Sequence, residues 1–331
     1  GYSNTTAGQN TFIGWASGYS NTTGKITAVG AYTLYSNTTG QSNVAVGGND
    51  GSVEAALQAN TTGASNTGVG IGALAKNTTA SNNTAVGYQA GYYVTGAENT
   101  VFGYQAGRLI TTGVYNTAIG PLSMDNSAGV TGSDNIAIGR VTMRSLTSGA
   151  SNVAVGNAAL SATTTASENT AVGYQAAYAN TTGQYNSAFG YGALYSNTTG
   201  ERNTAVGRTA LYSTTTAAYN IGLGMRAGYS NTTGGANTFL GYEAGNTNTT
   251  ASNNTAVGFQ AGYSNVTGTE VTAVGTSALR SNTATGSTAV GYAALYANTS
   301  GVYNVAIGNT LGGNTSGSYN TGVGNNALAN N

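Results

Sequence analysis

The sequence lacks cysteine and histidine altogether, contains a single proline, and has charged residues at only 5% of its positions. Without cysteine the chain can form neither a disulfide scaffold nor a thiolate zinc site. Without histidine it has no His-based acid–base or triad chemistry. The few carboxylates are scattered and lack the pairing that a glycosidase needs. We therefore predict that the chain is not an enzyme, and we expect no catalytic residue, no metal site and no cofactor.

The charge balance and the hydropathy exclude two further classes. Nine basic residues balance nine acidic ones, so the chain lacks the electrostatic footprint of a nucleic-acid binder. No apolar run reaches the roughly 20 residues that a membrane-spanning helix requires. Low charge with a 39% hydrophobic fraction also differs from the composition of disordered chains. Such a chain gains order by stacking similar short units.

One short unit recurs along the whole sequence and ends in glycine. It reads Asn-Thr-Ala-Val-Gly at positions 83–87 and again at positions 169–173, and similar copies follow one another at a nearly constant step. We call the last residue of the unit the marker glycine. The marker glycines are Gly14, Gly30, Gly47, Gly70, Gly87, Gly103, Gly120, Gly139, Gly156, Gly173, Gly190, Gly207, Gly224, Gly241, Gly258, Gly275, Gly291, Gly308 and Gly324.

This short period predicts the fold class. It is too short for helical repeats of about 33 or 34 residues, whereas a β-favouring stretch followed by turn residues suits one coil of a solenoid. We predict an all-β chain, a parallel β-solenoid (β-roll) of about 19 rungs of about 17 residues, stacked about 4.8 Å apart. Each rung should contain two short strands and two bends, and residues 1–331 should form a single tandem-repeat domain.

Two rungs are longer than the others. The step from Gly47 to Gly70 exceeds the regular period, and so does the step from Gly120 to Gly139. We expect surface bulges around residues 51–58 and 125–130.

Equivalent positions of successive rungs stack into columns. The residue before the marker glycine is apolar in every copy, as at Ile13, Phe102 and Phe189, which predicts a bulky core column. Two positions before the marker glycine is usually Ala, and three before is usually Thr or Val, so neither strand face is strongly polar. A strand covered on both faces loses its polar alternation. One face should therefore pack inside the coil and the other against another chain, which predicts a homo-oligomer.

Asparagine occupies the column four residues before the marker glycine in most copies. Stacked Asn side chains can bond amide to amide from one rung to the next, and we favour such a structural ladder over a ligand-binding role. The ladder residues are Asn83, Asn99, Asn116, Asn135, Asn152, Asn169, Asn186, Asn203, Asn220, Asn237 and Asn254.

Asn-x-Ser/Thr sequences recur in the bend of the repeat. They are candidate N-glycosylation sites if the host glycosylates secreted proteins, although the Asn-Thr-Thr-Gly run is also good turn chemistry, an interpretation that we favour. Both interpretations place these residues at the surface. The candidates are Asn21, Asn37, Asn60, Asn180, Asn197, Asn231, Asn298 and Asn314.

Tyrosines recur in three columns: one residue after, five residues after and five residues before the marker glycine. Stacked aromatic rings stabilise neighbouring rungs, and exposed rows could also bind glycans. The column five before the marker also accepts Glu98, Asp134 and Arg202, which indicates a solvent-facing position. Arg226 and Glu243 lie one period apart, so we predict an ion pair between rungs.

The repeat resembles the head repeats of trimeric autotransporter adhesins, the YadA-like family, and related tail-fibre repeats. The closest copies are Asn-Ile-Ala-Ile-Gly at residues 135–139 and Asn-Val-Ala-Ile-Gly at residues 304–308. The resemblance implies a left-handed, trimeric β-roll on a cell or virion surface that binds host surfaces or matrix. The family's unit is usually a few residues shorter, so each rung here has a longer bend.

We therefore predict an extracellular structural rod, the shaft of a surface fibre or adhesin that supplies reach, stiffness and multivalent attachment. Its partners would be copies of itself, as a trimer or an end-to-end filament, and host surfaces or glycans, with no nucleic acid and no membrane span. The alternatives are a self-assembling filament subunit and an ice-binding or glycan-binding solenoid. Both chain ends, the second at Asn331, fall within a repeat, and we expect a segment of a longer array without caps.

Overall fold

The computed structural model describes residues 1–328, so Asn331 lies outside the described residues. Those residues contain short β-strands joined by turns, and no helix. The strands are β1 (Thr11–Ile13), β2 (Ile26–Val29), β3 (Asn43–Val46), β4 (Thr67–Val69), β5 (Thr84–Val86), β6 (Thr100–Phe102), β7 (Thr117–Ile119), β8 (Ile136–Ile138), β9 (Val153–Val155), β10 (Thr170–Val172), β11 (Ser187–Phe189), β12 (Thr204–Val206), β13 (Ile221–Leu223), β14 (Thr238–Leu240), β15 (Thr255–Val257), β16 (Thr272–Val274), β17 (Thr288–Val290), β18 (Val305–Ile307) and β19 (Thr321–Val323).

The predicted fold class is confirmed: the chain is all-β and forms a parallel β-solenoid in which each repeat makes one rung. It divides into two compact units, Gly1–Ser167 with β1 to β9 and Glu168–Asn331 with β10 to β19. Within each unit every strand pairs in parallel with the strand of the next rung. The register keeps equivalent residues together, as in the pairing of Ala171 with Ala188.

Each rung has one strand in the described residues, so the predicted second strand is wrong. The residues three and four after the marker glycine, such as Ala193 and Leu194, which the sequence assigns to a second inward strand or a corner, are buried and form a corner. The backbone turns there through left-handed conformations, with φ of 53° at Thr209 and 49° at Leu211. Alternating left-handed residues coil the chain too tightly for a second extended segment.

The core column was assigned to the wrong strand face. The Ala two residues before the marker glycine, as at Ala171 and Ala205, is fully buried, whereas the larger residue next to the marker faces outward. Successive strand residues point to opposite faces, so a one-position error exchanges inside and outside. The interior therefore contains mainly Ala, Leu and Asn, with Phe239 in β14 and Val101 in β6 as inward-facing exceptions, and in most strands the larger apolar side chain lies on the exterior.

The marker glycine has two reasons to be glycine. At Gly173 φ is +137°, a conformation that side chains disfavour. A Cβ there would also lie 2.4 Å from the carbonyl oxygen of Gly190 in the next rung. Successive rungs thus approach each other through glycine backbone.

Both insertions form surface bulges that are shorter than predicted. In the first, residues 49–52 are exposed, but Ala55, Ala56 and Leu57 are fully buried and belong to the corner. In the second, residues 127 and 128 are exposed, whereas Val130 is buried and bridges Ile110. In each case the chain returns to the core as soon as the added residues end.

Candidate functional site

The predicted Asn ladder lies inside the solenoid, where its side chains are 0–3% exposed. The backbone N–H of each Asn donates to the Oδ1 of the Asn one rung earlier, at 2.9 Å from Asn186 to Asn169. In most of them the Nδ2 donates to a carbonyl oxygen of the following rung, at 2.8 Å from Asn186 to Gly200, whereas the Nδ2 of Asn83 has no partner. Amide-to-amide bonds add to these, as between Asn220 and Asn203 at 3.1 Å. With their amide groups engaged inside the core, except for the Nδ2 of Asn83, these residues bind neighbouring rungs rather than a ligand.

The candidate glycosylation sites form a second internal Asn ladder. Asn21, Asn37, Asn60, Asn180, Asn197, Asn231, Asn298 and Asn314 are all 0–1% exposed, so their predicted surface position is wrong. The Nδ2 of Asn197, the atom that would carry a glycan, donates to the Gly200 carbonyl oxygen at 3.0 Å and to Asn180 Oδ1 at 2.9 Å. The folded chain therefore does not present these amides. The seventh position after most marker glycines is Asn, and this column signal could have revealed the ladder.

The second ladder is interrupted by apolar residues in four consecutive rungs. Val94, Ile110, Val130 and Leu146 take the place of Asn and are fully buried. Thr163 takes the place of Asn in the rung that follows Leu146, and Thr214 interrupts the ladder again further along. In residues 1–328, five buried polar atoms have no hydrogen-bond partner, and four of them belong to this column: Asn77 Oδ1, Thr163 Oγ1, Asn197 Oδ1 and Thr214 Oγ1. The unsatisfied groups thus lie in or beside the rungs where Asn is missing.

The outward sheet face consists of the residues one and three positions before each marker glycine. Neither column contains a charged residue: the first is always aliphatic or Phe, and the second is Thr, Ser, Val or Ile. Ten residues next to the marker are 36–64% exposed: Ile13, Val46, Phe102, Ile138, Phe189, Leu223, Leu240, Val290, Ile307 and Val323. Each unit therefore carries an uncharged strip in which an apolar column runs beside a column of mostly Thr, and no element described within residues 1–328 of the same unit covers it.

The tyrosine columns stack their rings along the rungs. Tyr178, Tyr195, Tyr212 and Tyr229 form one run, with ring centroids 4.9–5.2 Å apart and planes within 9° of parallel. The inner rings, Tyr195 and Tyr212, therefore have another ring on each face. A sugar that stacks on an aromatic ring needs a free face, so this run does not supply the row of platforms that the glycan-binding alternative requires.

Charged side chains link rungs on the surface. The predicted ion pair between Arg226 and Glu243 is confirmed at 3.1 Å. Sequence reasoning missed a cluster beside the first bulge, where Glu54 accepts bonds from Lys76 at 2.7 Å and from the Tyr92 hydroxyl at 3.1 Å. Burial, and then the negative charge of Glu54, raise the pKa of Tyr92 to about 12. Neither partner is a whole number of regular periods from Glu54, because the bulge displaces Glu54 from the repeat.

Within residues 1–328 no group of three or more acidic side chains is placed to hold a metal ion. The same part of the chain has no helix that could cross a bilayer. Comparison with protein-family profiles, curated proteins and solved structures finds no match to this chain.

Proposed function

We propose that this chain is a structural segment of an extracellular surface fibre or adhesin, a shaft whose copies associate through the outward sheet face. The observation that carries the proposal is this face, which is uncharged in every rung and has an exposed or half-buried apolar column next to the marker glycines. Monomeric proteins rarely expose contiguous apolar patches beyond a few hundred Å², and larger patches mark interaction sites. A shaft that buries the face between copies accounts for Val, Ile, Leu and Phe side chains on the exterior of the strands.

Other copies of the same chain are the best match for this surface. The face repeats with every rung, and a parallel copy repeats with the same period, so equivalent rungs can meet along the whole contact. The absence of charge leaves no electrostatic pattern for a partner of opposite sign. Branched and aromatic side chains, such as Ile221, Phe189 and Leu240, are suited to pack against each other once water is excluded.

The internal network supports a mechanical role. Within each unit, backbone pairing joins successive rungs, and Asn side chains add bonds between most of them, as from Asn186 to Asn169 and from Asn203 to Asn186. Bending the stack would lengthen buried hydrogen bonds, which costs free energy because no water replaces them. Repetition also suits multivalent attachment, in which weak contacts add up. The association of three copies and the position on a cell or virion surface follow from the adhesin resemblance.

The proposal is tested by the mass of the protein in solution, measured by light scattering during size-exclusion chromatography. We expect an oligomer, with three copies as the expected number. The double variant Phe189→Glu and Leu240→Glu places charges that the interface would bury, and it should run as a folded monomer. The control is Tyr185→Glu, which is equally exposed but lies outside the face, and it should keep the mass of the original protein.

Two results would contradict the proposal. One is a monomeric original protein at all concentrations tested. The other is an oligomer that the double variant leaves intact, which would place the contact elsewhere, for example at the ends of the stack.

A further inference from the structure

Tyrosine dominates the easily oxidised side chains of this chain. The sequence has 23 Tyr, but no Cys, no His, one Trp and three Met. Met124 and Met143 are fully buried, so the usual sulfur targets of oxidants are absent or protected, except at Met225. A one-electron oxidant in solution therefore meets phenols over most of the surface.

In residues 1–328, two pairs of tyrosines are exposed on successive rungs, and the rings of one of them, Tyr174 and Tyr191, are held within 12° of parallel; the other pair is tilted further. Tyr303 and Tyr319 both lie five residues before a marker glycine, with ring centroids 5.6 Å apart and planes tilted by 22°. They are 49% and 75% exposed. This exposure leaves the Tyr319 ring room to turn about its side-chain bonds relative to Tyr303.

The stacked run behaves differently. Tyr195 and Tyr212 are closer, at 4.9 Å, but their planes are within 6° of parallel and each has a ring on both sides. Phenol coupling joins the ring carbons beside the hydroxyls, and the rings must meet edge to edge. A ring held face to face between two others must leave its stack first, so proximity alone does not favour coupling there.

We propose that Tyr303 and Tyr319 form a cross-linking site, which a haem peroxidase with hydrogen peroxide converts to dityrosine. Each phenol loses one electron and one proton, and the two phenoxyl radicals join through one carbon–carbon bond between the ring positions beside the hydroxyls. The hydrogens on those two carbons then move to the oxygens, which restores both phenols. The two electrons and two protons removed reduce one hydrogen peroxide to two waters.

The bridge links two rungs covalently at the surface. This covalent bond adds to the non-covalent pairing and still joins the two rungs when their hydrogen bonds break. It leaves the core unchanged because both rings project outward. The proposal depends on these two side chains alone and not on the assembly of copies.

The test treats the full chain, at low concentration, with a haem peroxidase and hydrogen peroxide. The product is digested with elastase, and dityrosine-linked peptides are mapped by mass spectrometry. We expect Tyr303–Tyr319 to be the main bridge within the chain. Tyr319→Phe should lose this bridge and most of the intrachain dityrosine fluorescence.

The matched control is Tyr115→Phe. Tyr115 is also exposed in this column, but its neighbours there are Glu98 and Asp134, so the control should keep the intrachain yield. The proposal fails if the original protein gives no Tyr303–Tyr319 bridge, if Tyr195–Tyr212 couples as much, or if Tyr319→Phe keeps the fluorescence. Circular dichroism checks that each variant is folded.

Discussion

Two neighbouring regions of the first unit fill the same interior column in opposite ways. In the early rungs the column is Asn21, Asn37, Asn60 and Asn77, and in the following rungs it is Val94, Ile110, Val130 and Leu146. All eight are buried, and the strands of both regions pair in the same register. The coil therefore tolerates either a hydrogen-bonded amide or an aliphatic side chain in this column, provided that neighbouring rungs carry the same type.

At the boundary between the two regions, the change from Asn to an apolar residue leaves a buried acceptor unsatisfied. Asn77 Oδ1 would accept a bond from an Asn in the next rung, but Val94 stands there, and this oxygen has no partner. An unsatisfied buried acceptor costs about 1–3 kcal/mol. Consecutive Asn residues, or consecutive apolar residues, are therefore favoured over alternation in this column. Only a change from one residue type to the other leaves a buried acceptor without a donor.

The largest expected effect on stability comes from replacing an Asn in the middle of the Asn run. Asn37→Leu removes the Nδ2 that donates to Asn21 Oδ1 and to the Gly40 carbonyl oxygen, and both acceptors stay buried. We expect the free energy of unfolding to fall by about 3 kcal/mol, measured by denaturant titration.

The matched control introduces the same side chain into the apolar run. Ile110→Leu changes only shape and should cost less than about 1.5 kcal/mol. Equal losses in the two variants would mean that the hydrogen bonds of the Asn run do not distinguish the regions.

A smaller effect of opposite sign should follow from repairing a run in the second unit. Thr214 lies between Asn197 and Asn231 in this column, and both Thr214 Oγ1 and Asn197 Oδ1 are unsatisfied. Thr214→Asn supplies the missing donor and should stabilise the chain by about 1–2 kcal/mol.

Thr199→Asn is the control for this repair, because Thr199 is exposed. It should change stability by no more than about 0.5 kcal/mol. A Thr214→Asn protein that melts with or before the original would show that the column has no room for the amide.

The smallest expected effect concerns the surface cluster at the boundary, formed by Glu54, Lys76 and Tyr92. The folded pKa of Tyr92, about 12, lies above the unfolded value of about 10. The folded state therefore holds this proton more tightly, and its stabilising contribution is present below pH 10 and lost as pH rises through 12. Glu54→Gln removes the charge and should lower the pKa of Tyr92.

This pKa is measured from the ultraviolet absorbance of phenolate, as the difference between titrations of the protein with and without Tyr92→Phe. An unchanged value in Glu54→Gln would assign the whole shift to burial.

The sequence correctly predicted the features that depend on the repeat period. It failed where residues had to be assigned to the inside or the outside of the coil. The repeat fixed the parallel stack and the position of the strands, and the constancy of Asn83 and its equivalents indicated a ladder. The sequence did not show whether Phe102 faces inward or outward, because its strand has only three residues and both strand faces are weakly polar. The alternation of polar and apolar residues therefore carries no signal. Asn197 was placed at the surface because Asn-Thr-Thr-Gly is typical of turns, whereas here the turn directs its Asn inward.

The most direct test of the proposed assembly is cryo-electron microscopy of the natively produced protein, reading the number of chains in each cross-section and the position of the outward sheet face. We predict three chains with Phe189, Leu240 and their equivalents buried between them. A single coil in each cross-section, with this face open to solvent, would contradict the proposed function.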